Sequence, residues 1–198
     1  MFNSALENHP NEAAIIGLLV VGYPDLDLAL CSICGLALGN RQAVLEALHK
    51  VTSEQARIEM ANSLAKHVLK ELELSAKFGE CIGAITHCRK IRNQYAHAQW
   101  MSYNGFLHFL RAENVNFNRP FEEIKWKSTS IGVLKDQLSY FEYARECLVW
   151  IEHKLAVPGK ALQWPQHMRQ PPLQDRDDLN IPHSHVVEQY EQRQKPVQ

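Results

Sequence analysis

The sequence lacks a surplus of charge of either sign. Its 198 residues contain 21 Lys and Arg against 22 Asp and Glu, which leaves a formal net charge of -1. Overall electrostatics would therefore not draw the chain onto nucleic acid or an anionic membrane, so any such affinity must come from a local patch. The hydrophobic fraction of 45% and the charged fraction of 22% are typical of a globular protein and exclude collagen-like, fully disordered and coiled-coil-only chains.

The sequence also lacks a long apolar run and a basic leader. The longest apolar stretch, Ala13–Val21, is soon followed by Pro24 and Asp25, so it is shorter than the roughly 20 apolar residues that a membrane span needs. No Lys or Arg occurs in the first dozen residues, so the positive segment of a secretory signal is missing. We therefore expect no membrane contact and a cytoplasmic location.

Cysteine is too sparse for a disulfide framework. The count of five is odd, which fits free, buried thiols in a reducing compartment. Cys31 and Cys34 have C-x-x-C spacing, but no second pair and no nearby histidine completes a set of four ligands. The spacing therefore predicts packed helical thiols, with no metal site and no cofactor.

Apolar residues recur at helical spacing over most of the chain. Asn11–Leu38 predicts two helical pieces that meet near Pro24, because proline disfavours helix in the residue before it. Gly39 and Asn40 are suited to a helix cap. Further helices are predicted through Ala43–Leu48, from Ser53 to about Leu72, from about Ser75 to Ala98, and from Thr129 or Ser130 through Leu155. The apolar stripe of the helix that starts at Ser53 consists of Ala56, Met60, Leu64, Val68 and Leu72.

The helical period is interrupted by a predicted β-hairpin. Aromatic-rich runs, Trp100–Tyr103 and Phe106–Leu110, flank Asn104-Gly105, and Asn-Gly supplies the two positive φ values of a type I′ turn. Phe121–Lys127 alternates apolar and charged residues, which favours a third short strand. We expect the aromatic residues to cover one end of the helical core rather than to stack bases.

The composition changes at residue 158. Six of the nine prolines and eight glutamines fall in the last 41 residues, which have too few apolar side chains to offset the entropy of ordering. We therefore predict a helical domain over residues 1–157 and a mostly disordered tail over 158–198, with a short helix near Val186–Arg193.

The third long helix ends in the segment that carries chemistry. Arg92 projects in nearly the same direction as Ile85 and Phe78 at about 100° per residue, so a cation lies where the pattern asks for an apolar side chain. A charged side chain at such a position must form an ion pair, form hydrogen bonds or contact water. Asn93 and His97 are one turn apart on a neighbouring face, close enough to share a polar pocket.

The run Arg92-Asn93-Gln94-Tyr95-Ala96-His97 resembles the Arg-x4-6-His signature of HEPN domains, in its Arg-Asn-x-x-Ala-His form. Its place late in a long helix is similar too. The resemblance implies an all-α, HEPN-like helical bundle, here with a small β-hairpin before the last long helix, and a dimer whose motif helices meet. For many members it implies a metal-independent endoribonuclease, so RNA becomes an expected partner.

Carried over by residue, Arg92 and His97 are the expected catalytic pair and Asn93 the residue that orients them. Arg89 and Lys90 extend the motif as expected phosphate-binding residues.

Two alternatives stay open. The chain could be a non-catalytic HEPN-like regulator similar to the mannitol operon repressor, or one half of a toxin–antitoxin-type pair with a cognate protein. The basic residues could also only complement the helix dipole and cap its last carbonyls.

Overall fold

Most of the described chain is helical, as the sequence predicted. The computed structural model describes residues 4–111, 125–157 and 159–181. Within these ranges the helices are α1 (Ser4–Glu7), α2 (Pro10–Ala37), α3 (Arg41–His49), α4 (Glu54–Glu71), α5 (Ser75–Ala96) and α6 (Ile131–Ala156). The strands are β1 (Ala98–Tyr103), β2 (Phe106–Arg111), β3 (Lys125–Thr129) and β4 (Arg176–Asn180).

Helix α2 is continuous, so the predicted break near Pro24 is wrong. Pro24 lies inside the 28-residue helix and is exposed. A proline within a helix costs about 3 kcal/mol because it removes a hydrogen bond. Leu26, Leu30 and Ile33 are buried beyond it, and each such side chain contributes about 1.5–3 kcal/mol. Their burial outweighs the local penalty.

By length and composition, α2 could cross a membrane. It is the one helix in the described residues that meets both criteria, and 44% of its most apolar window is buried inside the protein. The expectation of no membrane contact therefore stays a prediction.

The caps predicted at Gly39, after α2, and at Ser53, before α4, are confirmed, and Asn40 in addition caps the start of α3. Gly39 has a φ of +70°, and the Asn40 and Ser53 side chains accept hydrogen bonds from the backbone N–H groups of Ala43 and Ala56. Gly35 permits the chain to turn back from α2, because a Cβ there would meet the Cα of Arg41 at 2.6 Å. Local chemistry therefore places both helix starts.

The face of α4 that packs differs from the predicted stripe. Ile58, Ala61, Ala65 and Leu69 are buried, whereas Met60, Leu64 and Leu72 are among the exposed large hydrophobic residues. The helix carries apolar residues on two faces, and the smaller side chains allow closer packing. The predicted stripe therefore faces away from the core.

The predicted hairpin forms. Strands β1 and β2 pair in antiparallel register, from Ala98 opposite Arg111 to Tyr103 opposite Phe106. Asn104 and Gly105 have φ values of 50° and 77°, as a type I′ turn requires. All pairs in the four-stranded sheet are antiparallel, in the order β1-β2-β3-β4.

Strand β3 and helix α6 follow with small shifts from the predictions. Strand β3 spans Lys125–Thr129, whereas the first residues of the predicted strand, 121–124, lie outside the described residues. The Ser130 hydroxyl accepts a hydrogen bond from the Val133 N–H at 3.4 Å, which identifies Ser130 as the cap of α6.

Part of the predicted tail belongs to the fold. Pro171 and Ile181 are buried, and β4 adds the fourth strand of the sheet. The segment is ordered by main-chain hydrogen bonds, which do not require the apolar side chains that its composition lacks. The helix predicted near Val186–Arg193 lies outside the described residues.

The chain divides into two compact units made of interleaved segments. The first unit comprises Met1–Val20, Ile91–Gln137 and Pro171–Gln198, and the second comprises Val21–Lys90 and Leu138–Gln170. Helices α2, α5 and α6 each contribute residues to both. The division therefore differs from the predicted boundary between residues 157 and 158.

Candidate functional site

The expected site residues lie along the last turns of α5. Arg89 and Lys90 belong to the second unit, whereas Arg92, Asn93 and His97 belong to the first. Arg89, Arg92 and Asn93 are half-buried, and Lys90 and His97 are exposed. The helix ends at Ala96, so His97 occupies the turn that leads into β1.

One contact within the motif joins two expected site residues. Arg92 donates from Nη1 to Asn93 Oδ1 at 2.7 Å. A planar guanidinium held on one edge keeps its remaining donors in a fixed direction, which suits recognition of phosphate or carboxylate. Asn93 therefore orients Arg92.

His97 does not take part in this contact. In the described part of the chain no hydrogen bond or ion pair connects Arg92 with His97. One protomer therefore presents a guanidinium held by Asn93 and an exposed imidazole, with no direct contact between the two groups among the described residues.

A buried polar network holds the motif segment of α5 in place. The Tyr95 hydroxyl donates to Gln137 Oε1 at 2.8 Å and lies 3.3 Å from the Thr129 hydroxyl. Gln137 Nε2 donates to the carbonyl of Pro172 at 2.7 Å, and Gln94 Nε2 donates to the carbonyl of Leu173 at 2.6 Å. The network ties α5 to α6 and to the segment before β4. Burial raises the pKa of Tyr95, so its hydroxyl stays neutral and can donate.

Sequence reasoning missed this network. Gln137 is fully buried and lies between Leu134 and Phe141 on the apolar side of α6, where a polar residue is unusual. That break in the apolar pattern was the available signal. Gln94, inside the motif, gave no signal of its own.

The sheet aromatics pack as predicted, over the motif helix. Tyr95 stacks on Trp100 with ring centroids 5.6 Å apart and meets Phe109 edge-on at 5.3 Å. Trp100, Phe109 and Trp126 are buried, so they are not available for base stacking. Phe106 is 39% exposed at the hairpin turn.

A second buried polar cluster, which the sequence analysis did not predict, lies in the second unit. Asp27 on α2 pairs with Arg57 on α4, with Oδ2 3.0 Å from Nε, and the side chains are 9% and 12% exposed. Burial raises the pKa of Asp27 despite the attraction of Arg57. Burial and the nearby Asp27 carboxylate also raise the pKa of Tyr23. Glu54 and His49 also lie close enough to affect the pKa of Asp27, Glu54 raising it and His49 lowering it.

The cysteines are free and buried, which confirms the prediction of packed thiols. Burial raises the pKa of Cys31 to about 12 and that of Cys34 to about 11, so neither is a thiolate near neutral pH. Among the described residues no cluster of three or more His, Cys, Asp or Glu side chains is arranged to hold a metal ion. His183 and His185 lie outside those residues.

No protein-family model, curated protein or solved structure matches the chain. The interpretation of its function therefore depends on the residues and their geometry.

Proposed function

We propose that the chain is a HEPN-type RNA-binding protein that acts as a dimeric, metal-independent endoribonuclease. Its site would combine Arg92, Asn93 and His97 from two protomers. The observation that carries the proposal is the Arg92–Asn93 hydrogen bond one turn before an exposed His97 at the end of α5. A guanidinium is held in place while an imidazole remains open to solvent.

These groups suit RNA cleavage. The ribose 2′-hydroxyl attacks the adjacent phosphorus, a cyclic phosphate forms, and the 5′-oxygen leaves with a proton. An imidazole accepts and returns protons near neutral pH. A guanidinium stabilises the charge that develops on the phosphate oxygens. His97 is therefore assigned the proton transfers and Arg92 the phosphate, with Asn93 in support.

A dimer would complete the site. Arg92 lies in α5 and His97 in the turn that follows it, with no direct contact between them among the described residues, so one protomer alone offers an incomplete site. A two-fold axis beside the end of α5 would bring a second guanidinium and a second imidazole into the same groove. Dimer formation and cleavage are thus one hypothesis.

The second candidate is a non-catalytic HEPN-like dimer that acts as a regulator or binds a cognate protein. It is favoured by the lack of a contact between Arg92 and His97 in the described residues and by the buried network around Tyr95, which is typical of a structural helix end. In that case the same residues hold the interface.

The deciding experiment compares His97→Ala with the wild-type chain on a panel of RNAs in EDTA. We expect wild-type cleavage to leave cyclic-phosphate or 3′-phosphate ends, and His97→Ala to be slower by about 100-fold or more, the range of a lost general acid or base. His67→Ala is the matched control, since His67 is an exposed helical histidine in the second unit. It should cleave at the wild-type rate.

Two results would reject catalysis. One is an intact RNA panel with the wild-type chain, and the other is an unchanged rate in His97→Ala. Sedimentation of Arg92→Ala and His97→Ala then tests the second candidate function by measuring whether each variant still forms the dimer. Loss of the dimer in these variants, with no cleavage by the wild type, identifies an interface role.

A further inference from the structure

Two adjoining clefts lie within the second unit, outside the residues used above. One has a volume of about 430 Å³ and the other about 310 Å³. Tyr143, His167 and Met168 line both, so they form the wall that the clefts share. We name them the arginine cleft, which is lined in addition by Arg169 and Tyr140, and the glutamate cleft, which is lined in addition by Glu142 and Glu146.

The arginine cleft offers an unpaired cation. Its acid, Glu80, is already engaged, because Oε1 lies 3.3 Å from Lys77 Nζ and Oε2 accepts a hydrogen bond from Trp164 Nε1 at 3.2 Å. Arg169 makes no ion pair with any described residue. A guanidinium presents a planar fork of donors that matches a carboxylate. Tyr140 lines the same cleft, and its hydroxyl is neutral, since burial raises its pKa to about 12.

The glutamate cleft offers the opposite charge. Glu142 and Glu146 are exposed, one turn apart on α6, and neither forms an ion pair within the described ranges. Like charges at this spacing repel each other. A bound ammonium group would relieve the repulsion and donate hydrogen bonds to both carboxylates.

The shared wall suits an aliphatic chain. The rings of Tyr143 and His167 meet edge-on, with centroids 6.3 Å apart and planes at 84°. Met168 adds a flexible apolar side chain beside them. Alkylammonium groups also bind well to aromatic faces, and the unit already contains such a contact, with Lys77 Nζ 4.4 Å from the centroid of the Trp164 ring.

We propose that the two clefts form one binding site for a small zwitterion of the amino-acid class, with its carboxylate on Arg169, its ammonium group on Glu142 and Glu146, and its aliphatic part across Tyr143 and Met168. The separation of the two charges on either side of an apolar wall is what selects a zwitterion over a simple amine or acid. This site is independent of the proposed ribonuclease site.

The test uses ε-aminocaproate as the probe and isothermal titration calorimetry with the full chain. We expect saturable binding in the millimolar range or tighter. Hexylamine and hexanoate each retain the aliphatic chain and one charged end, so each should bind at least about 10-fold more weakly, the loss expected for one charge-assisted hydrogen-bonded pair.

Variants assign each end of the probe. Arg169→Gln should weaken the binding of ε-aminocaproate at least about 10-fold and leave the binding of hexylamine unchanged. The double variant Glu142→Gln, Glu146→Gln should also weaken the binding of ε-aminocaproate at least about 10-fold, but leave the binding of hexanoate unchanged. Lys66→Gln and Glu71→Gln are matched controls on exposed positions of α4, outside both clefts, and should bind as the wild type does. Circular dichroism checks that each variant is folded.

Three outcomes would overturn the proposal. They are absence of a binding isotherm with ε-aminocaproate, equal affinity for hexylamine or hexanoate, and binding that both charge variants leave unchanged. Tyr143→Phe tests whether the ring or the hydroxyl of Tyr143 is needed. This variant keeps the ring and should retain binding.

Discussion

The two units satisfy their buried polar groups by different chemistry. In the first, neutral groups bond to one another, with Tyr95 donating to Gln137 and Gln137 donating to the carbonyl of Pro172. In the second, a charged pair is buried, with Asp27 against Arg57. A neutral network loses little hydration when every partner is present, whereas each buried ion loses several kcal/mol of hydration that its partner must recover.

The difference shows in the pKa of Asp27. An opposite charge at 3.0 Å would by itself lower the pKa of a carboxyl group. The pKa of Asp27 is nevertheless raised, because loss of hydration outweighs the attraction of Arg57. The hydration that Asp27 and Arg57 lose on burial therefore offsets at least part of the stability that the attraction between them provides.

The largest expected effect comes from breaking the ion pair on one side. Asp27→Ala leaves Arg57 buried without its partner, so we expect the free energy of unfolding to fall by about 3–5 kcal/mol. Urea unfolding followed by circular dichroism measures it. The double variant Asp27→Leu, Arg57→Met removes both charges and should recover most of the loss. A loss within about 1 kcal/mol for the single variant, the value of an exposed pair, would show that Arg57 reaches water.

A smaller effect is expected in the neutral network. Tyr95→Phe leaves the Gln137 oxygen without its donor, which should lower the free energy of unfolding by about 1–3 kcal/mol. Combining it with Gln137→Met should cost less than the sum of the single losses, because the two side chains share one hydrogen bond. Strict additivity in this double-mutant cycle would mean that the bond contributes nothing to stability.

The smallest effect is a pH dependence that belongs to the second unit. The folded chain holds the Asp27 proton more tightly than the unfolded chain, so the folded state binds more protons above about pH 4, the ordinary range of an Asp carboxyl. The free energy of unfolding should therefore fall as the pH rises through that range, and Asp27→Asn should flatten this slope. Tyr95→Phe should run parallel to the wild type in the same urea titrations. Equal slopes for all three proteins would contradict the assignment.

Local sequence signals were reliable wherever the chemistry acts between near neighbours. Gly39 and Ser53 act as caps as predicted, and Ser130 is one of the two residues predicted to cap α6. Asn104-Gly105 forms the hairpin turn. Arg92 and Asn93 also lie in the last turns of α5, as predicted. Each of these features depends on contacts within a few residues, which the sequence contains in full.

Sequence signals failed wherever a partner distant in the chain decides the outcome. Pro24 argued for a break, but burial of residues beyond it keeps α2 continuous. Both faces of α4 carry apolar residues, and only packing selects Ala61 and Ala65 over Met60. Amino-acid composition after residue 158 cannot predict the hydrogen bonds of backbone carbonyls. The carbonyls of Pro172 and Leu173 nevertheless accept the hydrogen bonds that hold the motif helix in place.

The candidate site divides in the same way. The sequence alone singled out Arg92, Asn93 and His97 as candidates, since their spacing is a local property. It did not reveal Gln137 beneath them or the pairing of Asp27 with Arg57.

The sequence by itself determined where α4 and α6 begin and where the hairpin turns, because capping and turn geometry act over three or four residues. It predicted that α5 runs to Ala98, whereas Ala98 pairs with Arg111 in the sheet and the helix ends at Ala96. Only the tertiary structure decided which helix faces are buried, which polar side chains share a hydrogen bond and which part of the last 41 residues joins the sheet. Those outcomes depend on desolvation, which is set by neighbours far away in the chain.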